Sequence, residues 1–279
     1  MDQYLFNFID QAIAEDIGDG DHSSNCSIPE NAIGKMKLLV KEDGIIAGVD
    51  VFKKVFSRID SDLSLDILIP DARKVAVGDI VLTIEGRERS LLRGERLALN
   101  LIQRMSGIAT KTDSLKQLIK GTKAQLLDTR KTTPNLRPLE KLAVKIGGGE
   151  NHRMGLYDMI MLKDNHVDFA GGVGIAITKA KEYLAKNNLN IPIEVETRNF
   201  SEIEEALKEG GVQRLMFDNF SVENTYKAVE MVNGVMETES SGGITERTIK
   251  AYANTGVDFI SVGALTHSVK SLDLSLKAI

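Results

Sequence analysis

One cysteine, no tryptophan, five prolines and four histidines are all that this 279-residue chain has of those types. A lone thiol, Cys26, excludes an internal disulfide and fits a reducing compartment. So few thiols and imidazoles argue against a structural zinc cage, whereas a hard cation held by carboxylates stays open. No apolar run reaches the ~18–20 residues of a membrane span. The opening segment, MDQYLFNFIDQAIAEDIGDGD, is acidic and has neither the basic stretch nor the apolar core of a signal peptide. Positive charge is also short overall: 35 Lys and Arg against 40 Asp and Glu give a formal net charge of −5. That balance argues against a nucleic-acid partner. A cytoplasmic chain without membrane association is expected.

What is present is uneven. The hydrophobic content of 42% and charged content of 27% are those of a globular protein, long enough for one large domain or two ordinary ones. Yet Leu126–His166 holds seven Lys and Arg and two of the four His. Its charged residues follow directly on apolar runs, LLDTRK and DMIMLKDNH. Positive charge at strand ends of an acidic protein points to an anionic small molecule.

Two rhythms divide the chain. In the first hundred residues Asp62–Ile69 alternates, with Leu63, Leu65, Ile67 and Ile69 on one face, as in a half-buried strand; Asp79–Ile84 repeats the pattern. Val49–Ile59 has the apolar spacing of an amphipathic helix. A long helix over Ser90–Ser106 carries Leu97, Leu101, Met105 and Ile108 in one stripe. Arg93, Arg96, Asn100 and Arg104 form a second stripe, read from spacing alone as a solvated face. Thereafter strand-like runs at Gln125–Leu127, Met159–Leu162, Ile191–Val195, Arg214–Phe217, Val235–Thr238 and Asp258–Val262 alternate with helical patterns. Ser201, Ser221 and Thr245 are the candidate caps of the later helices. Such alternation implies parallel βα units and an α/β barrel. No Gly-x-Gly-x-x-Gly follows a strand, which weakens a dinucleotide-binding reading.

In α/β barrels the chemistry sits at the carboxyl ends of the strands. The successive strands deliver Asp128, Arg130 and Lys131; Lys163; Glu194 and Glu196; Asp218; Glu237 and Glu239 followed by Ser240-Ser241-Gly242-Gly243; and Gly263. The SSGG turn is a candidate phosphate cradle, since glycines let backbone N–H groups approach an anion. Glu196 and Asp218 end successive strands and could converge on Mg²⁺ bound to a diphosphate. Lys163 reads either as a Schiff-base nucleophile or as a phosphate clamp. Arg130, Lys131, His152 and Arg153 suit a ligand with more than one negative charge, because arginine forks pair bidentately with carboxylates.

Ordered motifs then become recognisable: AEDIGDGDHSS, RGERLALNLIQRMSGIAT, DTRKTTPNLRPLEKLAVKIGGGENHRMGLYDMIMLKDNH, IEVET, MFDNFS, SSGGIT and DFISVGALTHS. Through nearly its whole length the chain resembles the quinolinate phosphoribosyltransferases. The resemblance implies an N-terminal α/β sandwich over residues 1–104, joined by the C-terminal segment 266–279, and an open seven-stranded α/β barrel over 105–265, the type II phosphoribosyltransferase fold. It implies conversion of quinolinate and phosphoribosyl pyrophosphate into nicotinate mononucleotide, pyrophosphate and CO₂, with Mg²⁺. By similarity Arg130, Lys131, Thr132, His152 and Arg153 line the quinolinate pocket, and Lys163 lies between base and phosphoribosyl group. Glu196 and Asp218 lie at the ribose and the metal-bound pyrophosphate, with Glu194 the alternative to Glu196. Ser241, Gly242, Gly243 and Gly263 hold the 5′-phosphate. Arg96 matches an arginine that the family supplies to the neighbouring subunit, which implies a homodimer with shared sites and leaves assembly into hexamers open. Three other readings stay open: a relative drifted to another acceptor or to molybdenum-associated work, a Schiff-base aldolase using Lys163, and a non-catalytic sensor of a phosphorylated ligand.

Overall fold

The computed structural model describes Asp2–Ile279. By its internal contacts the chain divides into two compact units. Residues through Asp113, Thr132–Gly148 and Leu265–Ile279 make one; Ser114–Lys131 and Gly149–Ala264 make the other. The sequence reading drew its line at 104/105 and kept Thr132–Gly148 with the barrel. The contacts instead cut within a single unbroken helix and gather Thr132–Gly148 into the first unit.

In chain order the first unit contains α1 (Asp2–Ile17), α2 (His22–Ser27), β1 (Ile33–Val40), β2 (Gly44–Ile45), α3 (Val49–Ile59), β3 (Ser64–Ile67), β4 (Lys74–Val75), β5 (Ile80–Arg87) and most of α4 (Glu88–Leu118). A four-stranded antiparallel sheet, β12-β1-β5-β3, forms its frame, with β12 (Leu274–Ala278) supplied by the C-terminus. Met36, Leu38 and Val40 alternate inward along β1, and Val81, Leu82 and Ile84 are buried on β5. The α3 helix spans the residues that the apolar spacing predicts and buries Val51, Phe52, Val55 and Phe56. The strand expected over Asp62–Ile69 is shorter and less covered: β3 is an edge strand paired only with β5, and Ile67 is exposed.

The α4 helix outruns the predicted Ser90–Ser106 at both ends. Its second stripe is not simply a solvated face. Arg104 donates to buried Glu140 at 2.9 Å and to the Thr266 carbonyl, and Arg93 donates to Asn25 at 3.0 Å. Gln103 holds the C-terminal segment, donating to the Leu274 carbonyl at 2.7 Å while its own carbonyl accepts the Leu272 N–H at 3.0 Å. Helix α5 (Arg137–Ile146) ends at Gly147, which is buried so close to α4 that a Cβ there would overlap the Ala109 carbonyl.

The second unit is built on a parallel sheet of β6 (Gln125–Leu127), β7 (Ile160–Leu162), β8 (Ile193–Thr197), β9 (Arg214–Asp218), β10 (Glu237–Ser241) and β11 (Phe259–Ser261), in the order β6-β11-β10-β9-β8-β7. Glu150 adds a parallel bridge to Leu127, a one-residue seventh position beside β6. Among the described residues no strand pairing joins that position to β7, so the sheet is open there. It is nonetheless strongly curled. His152, just beyond the Glu150 bridge, reaches Glu194 of β8 at 3.0 Å. The same five strand spacings laid flat would separate them by roughly 24 Å. The intervening helices are α6 (Asp164–Ala170), α7 (Val173–Asn187), α8 (Phe200–Glu209), α9 (Val222–Val232) and α10 (Ile249–Ala253), and α11 (Ala264–His267) follows β11. Ser221 caps α9 as predicted, accepting the Asn224 N–H at 3.2 Å. Asn199, not Ser201, caps α8, and α10 starts at Ile249, after Thr248 rather than Thr245. So α8 begins earlier than the Ser201 reading has it and α10 begins later than the Thr245 reading. Among the described residues no helix is long and apolar enough to cross a membrane.

Candidate active site

Each barrel strand delivers its polar residues to a defined depth. In β8 all five residues are buried, and Glu194 and Glu196 share a face by the two-residue period. Glu196, near the carboxyl end, accepts from the Lys163 ammonium at 2.7 Å. Lys163 follows β7, caps α6 and gives its backbone N–H to His166 Nδ1 at 3.0 Å, which fixes where its side chain starts. That side chain is 44% exposed while Glu196 is 8% exposed, so the pair lies at the open end of the strands.

Arg153 and Arg130 carry the strongest electrostatic signal. Arg153 is buried, 9% exposed, and its Nη1 donates to the Met159 carbonyl at 3.3 Å. Burial, and after it the neighbouring Arg130 charge, hold its pKa below the ordinary arginine value. An arginine still stays protonated in a protein. Two guanidinium groups close enough to repel, one of them largely desolvated, form a place that an anion stabilises. Arg130 and Lys131 are exposed on the segment after β6, and the chain runs on into half-buried Thr132, whose hydroxyl accepts from Arg137 Nε at 3.0 Å.

Asp218 ends β9 half-buried and accepts from the Asn219 side-chain amide at 2.7 Å. The β9 and β10 ends are tied together, since the Asn219 N–H donates to the Ser241 carbonyl at 2.9 Å. Gly242 follows at φ +93°, and any Cβ there would overlap the Asn219 side chain. The SSGG turn therefore needs glycine for close backbone approach, while Gly243 faces open space. The phosphate argument loses one support. With α10 beginning at Ile249, the turn is followed by a short irregular stretch and not directly by a helix N-terminus. Gly263, two residues past β11, is half-buried on the same side of the strands. Arg96 is exposed on α4, in the other unit.

His152 differs from its expected placement. Its ring is 5% exposed and turned into the barrel: Nε2 lies 3.0 Å from Glu194 Oε2 and 3.6 Å from Glu239 Oε2. Its Nδ1 accepts the Arg153 backbone N–H at 2.7 Å, and its own backbone N–H is held by buried Asp128 at 2.9 Å. The ring thus braces the Arg153 backbone from below instead of only lining a pocket wall.

Glu239 was misplaced by the sequence reading, which ended the fifth strand at Thr238. The strand runs Glu237–Ser241, so Glu239 lies mid-strand and fully buried, and Glu237 at the amino end is 52% exposed. Arg214 joins Glu237 at 3.0 Å and Glu239 at 3.2 Å, approaches Glu194 at 4.0 Å and stacks 4.1 Å from the centre of the Phe259 ring. Burial pushes both Glu194 and Glu239 up to about 7; Arg214 opposes this for Glu194, while the charge of Glu194 adds to it for Glu239. For Glu194 the detectable signal was an acidic residue within the alternating run IEVET; β10 reads ETESS and offers no apolar run around Glu239. At the opposite, amino ends of the strands lies a cleft of about 700 Å³ lined by residues including Lys123, Gln213, Arg214, Glu237 and Asp258. It is remote from the strand ends that carry Arg153, Lys163 and Glu196, and size alone does not make it the reactive site.

Comparison with known proteins bears on the family and the fold. The quinolinate phosphoribosyl transferase N-terminal domain matches residues 21–106 and the C-terminal domain residues 108–277. The chain is 43% identical over 288 residues to quinolinate phosphoribosyltransferase [decarboxylating] 1b of Nicotiana tabacum, covering 98% of this chain and 82% of that one. It is 40% identical to a probable nicotinate-nucleotide pyrophosphorylase [carboxylating] of Bacillus subtilis, covering 98% and 92%. The solved nicotinate-nucleotide pyrophosphorylase of Francisella tularensis superposes with a TM-score of 0.94 at 39% identity, covering 100% of this chain and 97% of that one. With both domains matched in order and the fold shared along its length, the chain belongs to the quinolinate phosphoribosyl transferase family.

Proposed function

We propose that this enzyme transfers the phosphoribosyl group of phosphoribosyl pyrophosphate to quinolinate and releases CO₂, giving nicotinate mononucleotide and pyrophosphate. The observation that carries the reading is the buried Arg153 guanidinium held against the like charge of Arg130, at the strand ends that also bear the Lys163–Glu196 pair. Arg130, Lys131, Thr132 and Arg153, with His152 beneath them, hold the two carboxylates and so orient the pyridine nitrogen toward the ribose, an entropic contribution. Lys163 lies between base and phosphoribosyl group. Glu196 and Asp218 face the ribose, where positive charge develops as the bond to pyrophosphate breaks. Ser241, Gly242, Gly243 and Gly263 hold the 5′-phosphate through backbone N–H groups. The attacking nitrogen carries no proton, so no general base is required. The nitrogen becomes quaternary, the bond between the adjacent ring carbon and its carboxyl carbon breaks with the electron pair left on that ring carbon beside the positive nitrogen, CO₂ leaves, and the ring carbon takes a proton.

Two carboxylates without an imidazole or thiolate partner suit Mg²⁺. Glu196 already pairs with Lys163 and Asp218 is half-buried, too little to complete an octahedron, so the ion would be held largely by pyrophosphate oxygens and water. Bound there, it would neutralise charge on the leaving pyrophosphate. Exposed Arg96 is assigned to the neighbouring subunit's carboxylate pocket, making a homodimer the smallest active unit. The exposed, unpaired thiol of Cys26 suits a reducing compartment, and we place the enzyme in the cytoplasm.

The direct test is release of labelled CO₂ from carboxyl-labelled quinolinate, with nicotinate mononucleotide formed in equal amount and only when phosphoribosyl pyrophosphate and Mg²⁺ are present. No CO₂ release under those conditions refutes the assignment. Borohydride trapping of Lys163 on a carbonyl substrate would favour an aldolase instead.

A further inference from the structure

The barrel interior holds a charged cluster that the proposed reaction does not use. Barrel interiors are ordinarily packed with branched apolar side chains. Here Glu194 and Glu239 are both 0% exposed, and Arg214 lies against them. Replacing such a buried ion pair by well-packed apolar residues is often neutral or stabilising. Stability therefore does not account for the cluster, and geometry has to.

The contacts form a chain with a direction. Arg214 is anchored by Glu237 and by the face of Phe259. Its Nη1 holds Glu239 Oε2 at 3.2 Å. Glu239 Oε2 and Glu194 Oε2 converge on His152 Nε2 at 3.6 and 3.0 Å. The other ring nitrogen accepts the Arg153 N–H, and an acceptor Nδ1 puts the ring proton on Nε2, facing the carboxylates. Asp128 fixes the His152 backbone from the other side. We propose that Glu239, Glu194 and Arg214 are positioning residues, which hold the His152 ring from inside the barrel and, through it, the Arg153 backbone beneath the quinolinate carboxylates. The proposal rests on the assignment of Arg153 to that pocket.

A bound metal is the other reading of the same atoms. One ligand atom each from His152, Glu194 and Glu239 lie within 4.8 Å of one another. A divalent ion there would lie beside the Arg214 guanidinium, which donates to Glu239 at 3.2 Å and approaches Glu194 at 4.0 Å, with Arg153 also close enough to interact with Glu194. Two guanidinium charges so near the same carboxylates disfavour a further cation there.

The test uses the full-length enzyme. Glu239→Gln puts an amide where the Arg214 guanidinium donates at 3.2 Å and His152 Nε2 lies 3.6 Å away. The expected result is a rise of tenfold or more in KM for quinolinate, with KM for phosphoribosyl pyrophosphate within twofold. Unchanged KM for both substrates in a folded variant overturns the proposal. So does a stoichiometric transition metal that purifies with the wild type and is lost in the variant. An Arg214→Met, Glu239→Leu double variant removes the ion pair while keeping volume, and should show the same selective rise. A wild-type quinolinate KM in the double variant counts against it equally. Nitrogen-15 NMR of the wild-type protein, with only four histidines to assign, needs no variant. It should find His152 as the neutral tautomer protonated at Nε2, and protonation at Nδ1 instead overturns the arrangement. Failure of the reaction assignment is distinct: wild type would release no CO₂ from quinolinate, or Arg153→Ala would keep full activity.

Discussion

Removing the Arg153 side chain tests the carboxylate pocket most sharply. A bidentate guanidinium–carboxylate contact comprises two charge-assisted hydrogen bonds, each contributing roughly 1.5–3 kcal/mol. Arg153→Ala should therefore cost about 3–6 kcal/mol of transition-state stabilisation, or about 10²–10⁴-fold in kcat/KM for quinolinate. The fold should survive. The guanidinium donates to the Met159 carbonyl at 3.3 Å. Loss of a neutral-acceptor bond of that kind costs about 1 kcal/mol, and relief of the repulsion with Arg130 offsets part of it. Because His152 accepts from the Arg153 backbone N–H, which alanine retains, the brace beneath the pocket stays in place. The assay is kcat/KM for quinolinate at saturating phosphoribosyl pyrophosphate, beside KM for phosphoribosyl pyrophosphate, which should stay within a few-fold. A loss below tenfold would refute the reasoning, because no doubly hydrogen-bonded desolvated guanidinium is worth so little.

Four further outcomes follow from other contacts. Glu196→Gln weakens the 2.7 Å partner of Lys163 at the strand end and should lower kcat about tenfold or more, with quinolinate KM little changed; an equal loss in Glu194→Gln with none in Glu196→Gln would reverse the two roles. Gly242→Ala forces a Cβ into the Asn219 side chain at φ +93° and should raise KM for phosphoribosyl pyrophosphate several-fold, read by steady-state kinetics. Arg96→Ala subunits, inactive alone, should regain activity when mixed with Arg153→Ala subunits under conditions of shown subunit exchange; failure to complement argues against shared sites. Asp60, buried and bonded to Arg87 at 2.7 Å, is held well below the usual carboxylate range by that partner. Its lowered folded pKa makes the pair's stabilisation fully present above the unfolded pKa of about 3.9 and lost as pH falls toward the folded value. Asp60→Asn should thus be less stable by about 1 kcal/mol near neutrality, Arg87 being half exposed. In urea denaturation that gap should begin to narrow below about pH 4 and keep narrowing as pH falls toward the folded value, and a gap that does not narrow at all in acid would sink the attribution.

How much of this was legible in the sequence depended on whether a residue's depth could be inferred. Val49–Ile59 was, because a helix with one apolar face has only one way to bury it. The parallel strands were, because short apolar runs between capped helices leave few alternatives, and the ordered family motifs fixed the rest. Arg104 was not. Helical spacing groups it with Arg93 and Arg96, but a charged stripe can meet solvent or a buried carboxylate, and Glu140 lies 36 residues away in sequence. Arg96, on the same stripe, is exposed, so periodicity alone could not separate the two.

The two glutamates of β8 show the same limit at the site itself. The motif IEVET offers Glu194 and Glu196 two residues apart, on one face of one strand, and spacing cannot rank them. Depth does. Two positions along a strand are about 6.6 Å, enough to carry Glu196 to the open end beside Lys163 and leave Glu194 in the interior beside His152. The β10 reading failed for the same reason. Placing the strand end at Thr238 put Glu239 at the mouth, and the true end at Ser241 puts it inside with Arg214. Once both registers are correct, the interior carboxylates acquire Arg214 as a common neighbour, and the charged residues fall into two tiers. Arg130, Arg153 and Lys163 meet the open end. Glu194, Glu239, Arg214 and the His152 ring form the tier beneath, on which the position of Arg153 depends.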